Sequence, residues 1–475
     1  MTADPVDLRV YAPPRWAPRT GGEFVLYWIQ TTHRVHDNFA LAFAVEQANA
    51  LRLPVLAYQG LRPDYPWASD RLHTFILEGV ADLHRDFGRL GIPYAFHLDP
   101  GLGGGSGVLP DRPAESPLVG LARRAALVVT DWYPTFIVPR QTRRLRERVE
   151  TPVVAVESCT VVPVRWVGRE HKTARAIRPV LQDGLSHFLH RAPLAAPRVR
   201  RVIDLPFDPV VPRGPRDRRG TAIADLVAAL PLDHSVRPSP TLRGGTAAGR
   251  ARLAWFLEHG LPRYTEDRGD PNIDATSRLS AYLHFGQLSP QEVLLACRDA
   301  GPAVQYQKFE DEAVTWRELA HNFVAHDPRH RTVAAIPEWA RRELADHEGD
   351  RRSALYDDQA LEEGRTASPL WNAMQRRLVR DGELHNYARM LWGKSVIGWT
   401  RNAASALRVL EHLNHKYALD GRDPSSYGGI HWCLGKFDRP FYRRPVFGTV
   451  RYMSLAAAER KFDVPAYVRG SGGPE

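Results

Sequence analysis

The chain has 475 residues, of which 43% are hydrophobic and 25% are charged, a composition typical of a globular protein with two or three domains. Its three cysteines, Cys159, Cys297 and Cys433, lie far apart and form no CxxC spacing. This argues against a disulfide framework and against a cysteine-based zinc or iron–sulfur site. No apolar run reaches the roughly 18 residues of a membrane span, and the acidic, proline-rich start is unlike a signal peptide. We therefore expect a cytoplasmic protein that does not bind membranes. Its oligomeric state is open, with a monomer as the default.

Positive charge is concentrated near the C-terminal end. The whole chain has a formal net charge of +10, and residues 371–463 hold 16 Lys and Arg against 8 Asp and Glu, a net of +8. Aromatic residues are interleaved with these charges, as on surfaces that bind nucleic acids. Charge alone leaves two explanations open, an anionic partner or an arginine-rich genome composition.

Predicted strands and helices alternate over residues 22–157. The apolar run FVLYWI (24–29) predicts a buried strand, and Asp37 is expected to cap the helix that follows it. A second helix is predicted over 69–90, and further strands are predicted at VLAY, IPYAFHL, AALVVTD and TPVVAVE. This alternation predicts a doubly wound α/β domain with a parallel sheet. The loop PGLGGGSG (100–107) lacks the GxGxxG and P-loop patterns, so a surface loop is favoured over a phosphate-binding loop.

The rest of the chain divides into a linker and a helical domain. Residues 158–244 are rich in Pro and Arg and predict a long, extended linker, with one or two helical turns at 171–189. Over 245–465 the pattern predicts an all-α domain. One of its helices begins with Ser289 as the cap and Pro290 at the first helical position.

Two segments of the helical domain carry polar or aromatic side chains that could have either a binding role or a purely structural one. Thr276, Ser277 and Ser280 stand in a turn before a helix, where hydroxyls and free N–H groups can hold a pyrophosphate, although spacing alone favours a simple capping turn. Glu312 and Trp316, four residues apart, are expected on one helical face. They form either a base-binding pair or the edge of the core.

A set of tryptophans suggests electron transfer. Trp392 and Trp399 are seven residues apart and share a helical face, and Trp371 lies on a neighbouring predicted helix. Buried tryptophans usually belong to the core, but three close indoles would also allow electron hopping to a redox cofactor. Arg389 and Asp420 could flank a polar ring edge.

The remaining motifs either favour DNA binding or exclude other chemistry. Aromatic residues and arginines alternate from Trp432 to Lys461, which fits base stacking and phosphate contacts better than a solvated face. His412 and His415 lack a third metal ligand nearby, so no metal site is predicted. No GxSxG nucleophile motif is present.

The chain resembles the class II cyclobutane pyrimidine dimer photolyases of the photolyase/cryptochrome family. The resemblance covers nearly the whole chain and is densest in the C-terminal half. It rests on the segments LSAYLHFGQLSP, RELAHNF, LWNAMQ, LHNYARMLWGKSVIGWT, LNHKYALDGRDPSSY and RPVFGTVRYM. It implies FAD in the helical domain and UV-damaged DNA as the partner. It also implies light-driven electron transfer from reduced flavin to a flipped-out dimer. An antenna chromophore of unknown identity is a further possibility.

The resemblance also assigns roles to individual residues. The implied FAD contacts are Tyr264, Thr276, Ser277, Arg278, Leu279, Ser280, Arg389, Asn414, Asp420 and Gly421. Asn414 would face flavin N5, and Trp392, Trp371 and Trp399 would form the photoreduction triad in order from the flavin outward. The implied lesion and DNA contacts are Glu312, Arg268, Trp316, Met390, Trp432, Arg439, Phe441, Arg451 and Arg460. Glu312 is counted with Asn414 and the triad as catalytic, because it would stabilise charge that arrives on the lesion.

Two positions and one short segment depart from the class pattern. Gly269 replaces an asparagine, Phe441 replaces a second lesion-side tryptophan, and TTHR (31–34) replaces the usual Arg-Asp-Gln-Arg. The first two affect the expected lesion geometry, and the third weakens any inference about an antenna.

Two rival functions remain at this stage. A cryptochrome-like flavin photoreceptor would use the same cofactor without repair activity, but the lesion-side set and the short tail after Val464 argue against it. A basic DNA-binding module without a cofactor would not need an Arg–Asp pair beside an asparagine.

Overall fold

The computed structural model describes residues 7–101, 108–109, 113, 115–213 and 220–472. Apart from its first two residues, the glycine-rich loop predicted at 100–107 lies outside this range. Within the described ranges, no helix is both long enough and apolar enough to cross a membrane.

The N-terminal domain is built on one twisted sheet. Its strands are β1 (Val10–Tyr11), β2 (Val25–Ile29), β3 (Val55–Leu61), β4 (Tyr94–Leu98), β5 (Leu127–Trp132) and β6 (Val153–Glu157). Their order is β1-β6-β5-β2-β3-β4, with β2 to β6 parallel and β1 antiparallel at one edge. The main helices beside the sheet are α1 (Phe39–Leu51), α2 (Asp70–Leu90), α3 (Pro117–Arg124) and α4 (Val138–Arg146).

The central strand shows why this sheet is covered on both faces. All residues of β2 are buried; Tyr27 packs into a hydrophobic cluster on one face, and Leu26 and Trp28 pack into another on the opposite face. A parallel sheet needs helices on both sides to bury such strands. The predicted doubly wound α/β domain is confirmed.

The predicted cap of α1 is wrong by one residue. Asn38 caps the helix, because its side-chain oxygen accepts the N–H of Leu41 at 2.9 Å. Asp37 has φ +48°, whereas an N-cap residue needs extended backbone. Its carboxylate instead accepts hydrogen bonds from Arg191 Nη1 (2.6 Å) and the N–H of Ala192 (3.1 Å), so it binds the linker to the first domain. Strand β1 and helices α3 and α4 were not predicted.

The linker is more ordered than its composition indicates. It contains α5 (Val164–Val167), α6 (Ala174–Phe188) and α7 (Ile223–Ala228). Helix α6 has 15 residues, about four turns rather than the predicted one or two. Thr173 caps it, and Ile177, Leu181 and Phe188 are buried in the core. Residues 190–211 contain neither helix nor strand, in line with the extended linker that was predicted.

The C-terminal domain is helical, as predicted. Its helices are α8 (Thr246–Trp255), α9 (Tyr264–Asp267), α10 (Ser280–His284), α11 (Pro290–Ala300), α12 (Ala303–Glu310), α13 (Arg317–His326), α14 (Glu338–Asp346), α15 (Asp358–Glu362), α16 (Pro369–Asp381), α17 (Asn386–Trp399), α18 (Ala403–Tyr417), α19 (Pro424–Cys433) and α20 (Val464–Gly470). Two π-helical segments, Phe256–Gly260 and Asp311–Trp316, join consecutive helices. Ser289 caps α11 as expected, accepting the N–H of Gln291 at 3.1 Å.

Buried polar contacts join the linker and the first domain to the helical domain. The Glu318 carboxylate of α13 accepts the N–H groups of Val161 (2.5 Å) and Val162 (3.1 Å). Burial raises the pKa of Glu318 to about 7. Tyr133 donates to the carboxylate of Asp423 at 2.7 Å. Because unpaired polar groups are costly to bury, these contacts favour one arrangement of the two domains.

Candidate functional site

The turn before α10 presents free polar groups. Arg252 donates to the carbonyl oxygens of Thr276 (2.6 Å) and Ser277 (2.9 Å), which orients the turn. Arg278 adopts a left-handed backbone conformation (φ +53°) and forms an ion pair with Glu383. Within the described part of the chain, the hydroxyls of Thr276, Ser277 and Ser280 make no hydrogen bonds. A turn with three free hydroxyls beside an arginine is suited to binding phosphate oxygens.

Two of the implied FAD contacts, Tyr264 and Leu279, belong to one hydrophobic core cluster. Leu279 is buried, and the Tyr264 ring packs edge-on against Phe256 and Phe309. Burial raises the pKa of Tyr264 to about 12, so its hydroxyl keeps its proton at neutral pH and can donate a hydrogen bond.

A bidentate ion pair joins α17 to the loop before α19. Arg389 Nη1 and Nη2 donate to Asp420 Oδ2 and Oδ1, both at 3.0 Å. The two side chains remain 25% and 12% exposed, so the pair presents a polar edge. Nearby, the buried Asn414 of α18 donates from Nδ2 to Ser426 Oγ at 3.0 Å, and Ser426 Oγ donates to the carbonyl of Asp420 at 2.8 Å. The structure therefore pairs Arg389 with Asp420, 31 residues away, and links Asn414 to Asp420 through Ser426.

Gly421 has no room for a side chain. An added Cβ would lie 2.8 Å from the carbonyl oxygen of Asn414 and 2.9 Å from that of Ala418. Any larger residue would displace the loop that holds Asp420, so this glycine maintains the geometry of the ion pair.

The three predicted tryptophans form a continuous chain of rings. Trp371 and Trp392 are stacked at 6.3 Å with an interplanar angle of 6°, and Trp371 meets Trp399 edge-on at 5.5 Å. Trp371 Nε1 donates to the carbonyl of Trp392 at 3.0 Å. Trp371 and Trp392 are buried, and Trp399 is half-buried, so the chain leads from the interior toward solvent.

Two residues next to this chain were missed by the sequence reasoning. Gln375 Oε1 accepts the indole N–H of Trp392 at 2.9 Å, and the ring of Tyr356 lies edge-on to Trp399 at 5.4 Å. Gln375 stands inside the segment LWNAMQ, one helical turn after Trp371, and that spacing could have indicated a neighbour of the indoles. Nothing in the sequence pattern indicated Tyr356.

Glu312 lies in a cluster of charges. Its Oε1 accepts hydrogen bonds from Lys308 Nζ (2.7 Å) and Arg268 Nη2 (2.5 Å). The segment from Asp311 to Trp316 is π-helical rather than α-helical. Residues four apart still lie within about one turn of such a helix, so the shared face of Glu312 and Trp316 stays a prediction. Trp316 is 38% exposed, which leaves its ring free to contact a partner.

The end of α19 and the segment after it form an aromatic and basic surface. Lys394 Nζ lies 4.7 Å from the centre of the Trp432 ring, and Arg451 lies 5.7 Å from Trp432 and 4.3 Å from Phe441. Arg439 lies 5.7 Å from Phe441. Cations at these distances attract aromatic faces and hold the rings in place.

Two arginines of this surface differ in whether the guanidinium group already has a partner inside the protein. Arg451 forms a bidentate pair with Asp438, with Nε–Oδ2 at 2.7 Å and Nη2–Oδ1 at 3.0 Å. Arg460 is exposed and makes no hydrogen bond or ion pair with another described residue. Arg460 is therefore the better placed of the two for a direct phosphate contact, whereas Arg451 already binds the Asp438 carboxylate.

Met390, next to Arg389 on α17, is half-buried.

Lys394 is a buried cation on α17, two residues after Trp392. Its Nζ donates to the carbonyl oxygens of Cys433 (2.7 Å) and Trp432 (3.4 Å) at the end of α19. Burial lowers its pKa to about 8. The ammonium thus stabilises the helix C-terminus that carries Trp432.

Within the described residues, no group of three His, Cys, Asp or Glu side chains could hold a metal ion. The arrangement instead combines a polar edge, a phosphate-sized turn, a chain of indoles and a basic aromatic surface.

Comparisons with known proteins point to one family. The family model described as DNA photolyase matches residues 25–198. A deoxyribodipyrimidine photo-lyase of Methanothermobacter thermautotrophicus is 34% identical over 95% of this chain and 95% of its own length. One from Potorous tridactylus is 34% identical over 94% of this chain and 80% of its own.

Similarity to a solved structure extends the comparison to the fold. A bacterial class III photolyase from Agrobacterium tumefaciens superimposes with a TM-score of 0.67, covering 96% of this chain and 88% of that one, at 20% identity. At such identity the likeness shows the fold alone. The identity to whole-length relatives shows the family, and the chain is therefore an enzyme that belongs to the deoxyribodipyrimidine photo-lyases.

Proposed function

We propose that this protein is a class II photolyase that repairs cyclobutane pyrimidine dimers in DNA in a light-driven reaction that depends on FAD. The observation that supports this most directly is the contact chain from Trp399 through Trp371 to Trp392, which ends on the same helix as Arg389. Ordinary core packing requires neither this outward order nor an ion pair at the inner end.

The residues of the site fit FAD. The free hydroxyls of Thr276, Ser277 and Ser280 would donate to the pyrophosphate and ribose, together with Tyr264. The half-open pair of Arg389 and Asp420 would meet the polar edge of the isoalloxazine ring. Both halves of the cofactor therefore have donors of the right chemistry on elements that the structure brings together.

When bound and reduced, FAD supplies an electron donor that blue light excites. Arg389 would stabilise negative charge on the ring system. Asn414 would face flavin N5, because a side-chain amide can either donate or accept a hydrogen bond there. Its position is held by Ser426.

The lesion would bind between Glu312 and the aromatic surface. Trp316, Trp432 and Phe441 would contact the flat faces of the flipped-out bases. Glu312, held by Arg268 and Lys308, would stabilise charge that arrives on the pyrimidine carbonyl edge. Met390 and Arg439 would complete this pocket.

The DNA backbone would be bound by basic side chains next to the pocket. Arg460 is free to contact a phosphate directly. Arg451 would do so only by sharing its guanidinium with Asp438, whose carboxylate it already binds. Phosphate contacts of this kind add affinity without sequence preference.

The test is an assay of the purified protein with damaged DNA. We expect a flavin absorption spectrum and the loss of cyclobutane dimers from UV-irradiated DNA in blue light but not in the dark. Parallel DNA that contains only (6–4) photoproducts should remain unrepaired. A colourless protein would refute flavin binding, and a yellow protein without dimer loss would favour the photoreceptor alternative.

A further inference from the structure

A separate cleft of about 840 Å³ lies between α15, α16 and α18. Its polar lining includes Glu362, Gln375, Arg376, Arg380, Lys416 and Tyr417. None of the residues assigned above to FAD, the lesion or DNA lines this cleft. Its volume suits a small-molecule ligand.

A hydrogen-bonded path connects this cleft to the inner tryptophan. Gln375 accepts from Trp392 Nε1 at 2.9 Å and donates from its own Nε2 to the backbone oxygen of Glu362 at 3.0 Å. The carboxylate of Glu362 accepts the phenolic proton of Tyr417 at 2.6 Å. Tyr417 and Trp392 also belong to the same hydrophobic cluster. Gln375 and Tyr417 thus both line the cleft, and Gln375 contacts the inner tryptophan directly.

The protonation states of this pair suit the oxidation of a tyrosine. Burial raises the pKa of Glu362, but hydrogen bonds from Lys416 and Tyr417 outweigh it, so this pKa lies below the usual value. Burial and the neighbouring Glu362 raise the pKa of Tyr417. At neutral pH a protonated phenol thus faces an ionised carboxylate, which can take the proton when the ring loses an electron.

The lining holds three carboxylates, of Asp358, Glu362 and Glu363, and three cations, one of which has an unsatisfied nitrogen. The Nε of Arg376 is buried and has no hydrogen-bond partner in the part of the chain that the structure describes. The other two cations of the lining are engaged, since Arg380 pairs with Asp381 and Lys416 pairs with Glu362. An unsatisfied guanidinium in a cleft is suited to a carboxylate or enolate group.

We propose that the cleft binds a small anionic reductant beside Arg376 and that Tyr417 passes electrons from it to oxidised Trp392. In this step one electron moves from Tyr417 to the Trp392 radical cation, and the phenolic proton moves to Glu362. The reductant then returns one electron to the tyrosyl radical, and Glu362 returns the proton. The inference rests on the proposed function, because light-driven chemistry is what oxidises Trp392.

Ascorbate is a suitable probe, and the measurement is flash absorption of purified, flavin-loaded protein. In the wild type, the decay of the tryptophan radical should accelerate with ascorbate concentration and reach saturation. Tyr417→Phe should abolish the saturable part and leave a weak linear dependence. Glu362→Gln keeps the Tyr417 ring but removes the proton acceptor and should give the same loss. Arg376→Gln should raise the half-saturating concentration about tenfold.

Matched controls separate this route from general effects. Arg380→Gln removes a cation of the same cleft that is already neutralised by Asp381, and Tyr442→Phe alters a phenol that is 92% exposed. Both should behave like the wild type.

Two outcomes distinguish the inference from the proposed function. The absence of any tryptophan radical in the wild type would overturn both. A radical that decays equally fast in the wild type, Tyr417→Phe and Glu362→Gln would overturn the inference alone.

Discussion

Replacement of Trp392 by phenylalanine tests the assignment of the tryptophan chain. Trp392 is the inner member, 2% exposed, stacked on Trp371 and hydrogen-bonded to Gln375. A phenyl ring fills most of the site but is much harder to oxidise than an indole. We therefore expect light-driven reduction of the oxidised flavin to stop, whereas repair by chemically reduced enzyme should be largely retained.

The same substitution has a calculable effect on stability. Phenylalanine has no N–H group, so Gln375 Oε1 loses its donor inside the protein, at a cost of about 1–3 kcal/mol. The smaller ring leaves a void and loses buried area, which costs about 1 kcal/mol more. We expect the free energy of unfolding to fall by about 2–4 kcal/mol, which urea denaturation followed by circular dichroism can measure.

The assay compares blue-light bleaching of oxidised flavin in the wild type, Trp392→Phe and Trp339→Phe. Trp339 is partly buried and packs against the same hydrophobic cluster without belonging to the chain, so its substitution should leave photoreduction intact. Normal photoreduction in a folded Trp392→Phe protein would refute the assignment. Equal loss in both variants would show that the effect is general destabilisation.

Three further predictions follow from the described contacts. Burial raises the pKa of Glu318 to about 7. The folded state therefore keeps a proton on Glu318 that the unfolded state releases above about pH 4.5. The contribution of Glu318 to the free energy of unfolding should fall by about 1.4 kcal/mol per pH unit between pH 4.5 and pH 7. The difference in unfolding free energy between the wild type and Glu318→Gln, measured across this range, should show that slope, and a flat difference would contradict it. A Cβ at Gly269 would meet no atom within 4 Å, so Gly269→Asn should change stability by less than about 0.5 kcal/mol; if the missing amide limits repair, the repair yield per absorbed photon should rise. Arg460→Ala should reduce by about one the slope of log DNA affinity against log salt concentration. Arg451→Ala should also lower the unfolding free energy, because Asp438 loses its partner; equal stability of the two variants would show that the Asp438 pair is unimportant.

The domain classes followed from the sequence because they depend on local periodicity. The buried run of β2 and the alternation of strands and helices predicted the α/β domain, and amphipathic segments predicted the helical domain. Errors arose where neighbouring residues compete or tertiary contacts decide. Asn38 rather than Asp37 caps α1, because Asp37 binds the linker. Helix α6 is longer than predicted because its apolar residues are buried against the core.

For the site, the sequence by itself determined which chemical groups are present and on which elements they lie. Only the tertiary structure decided which groups meet. The stacking of Trp371 on Trp392 joins two helices, and the pairing of Arg451 with Asp438 engages a guanidinium that the family resemblance assigns to DNA. The physical reason is that helical periodicity relates residues only within a single helix. Ring separations and ion pairs depend on how separate elements pack, which no spacing along the chain specifies.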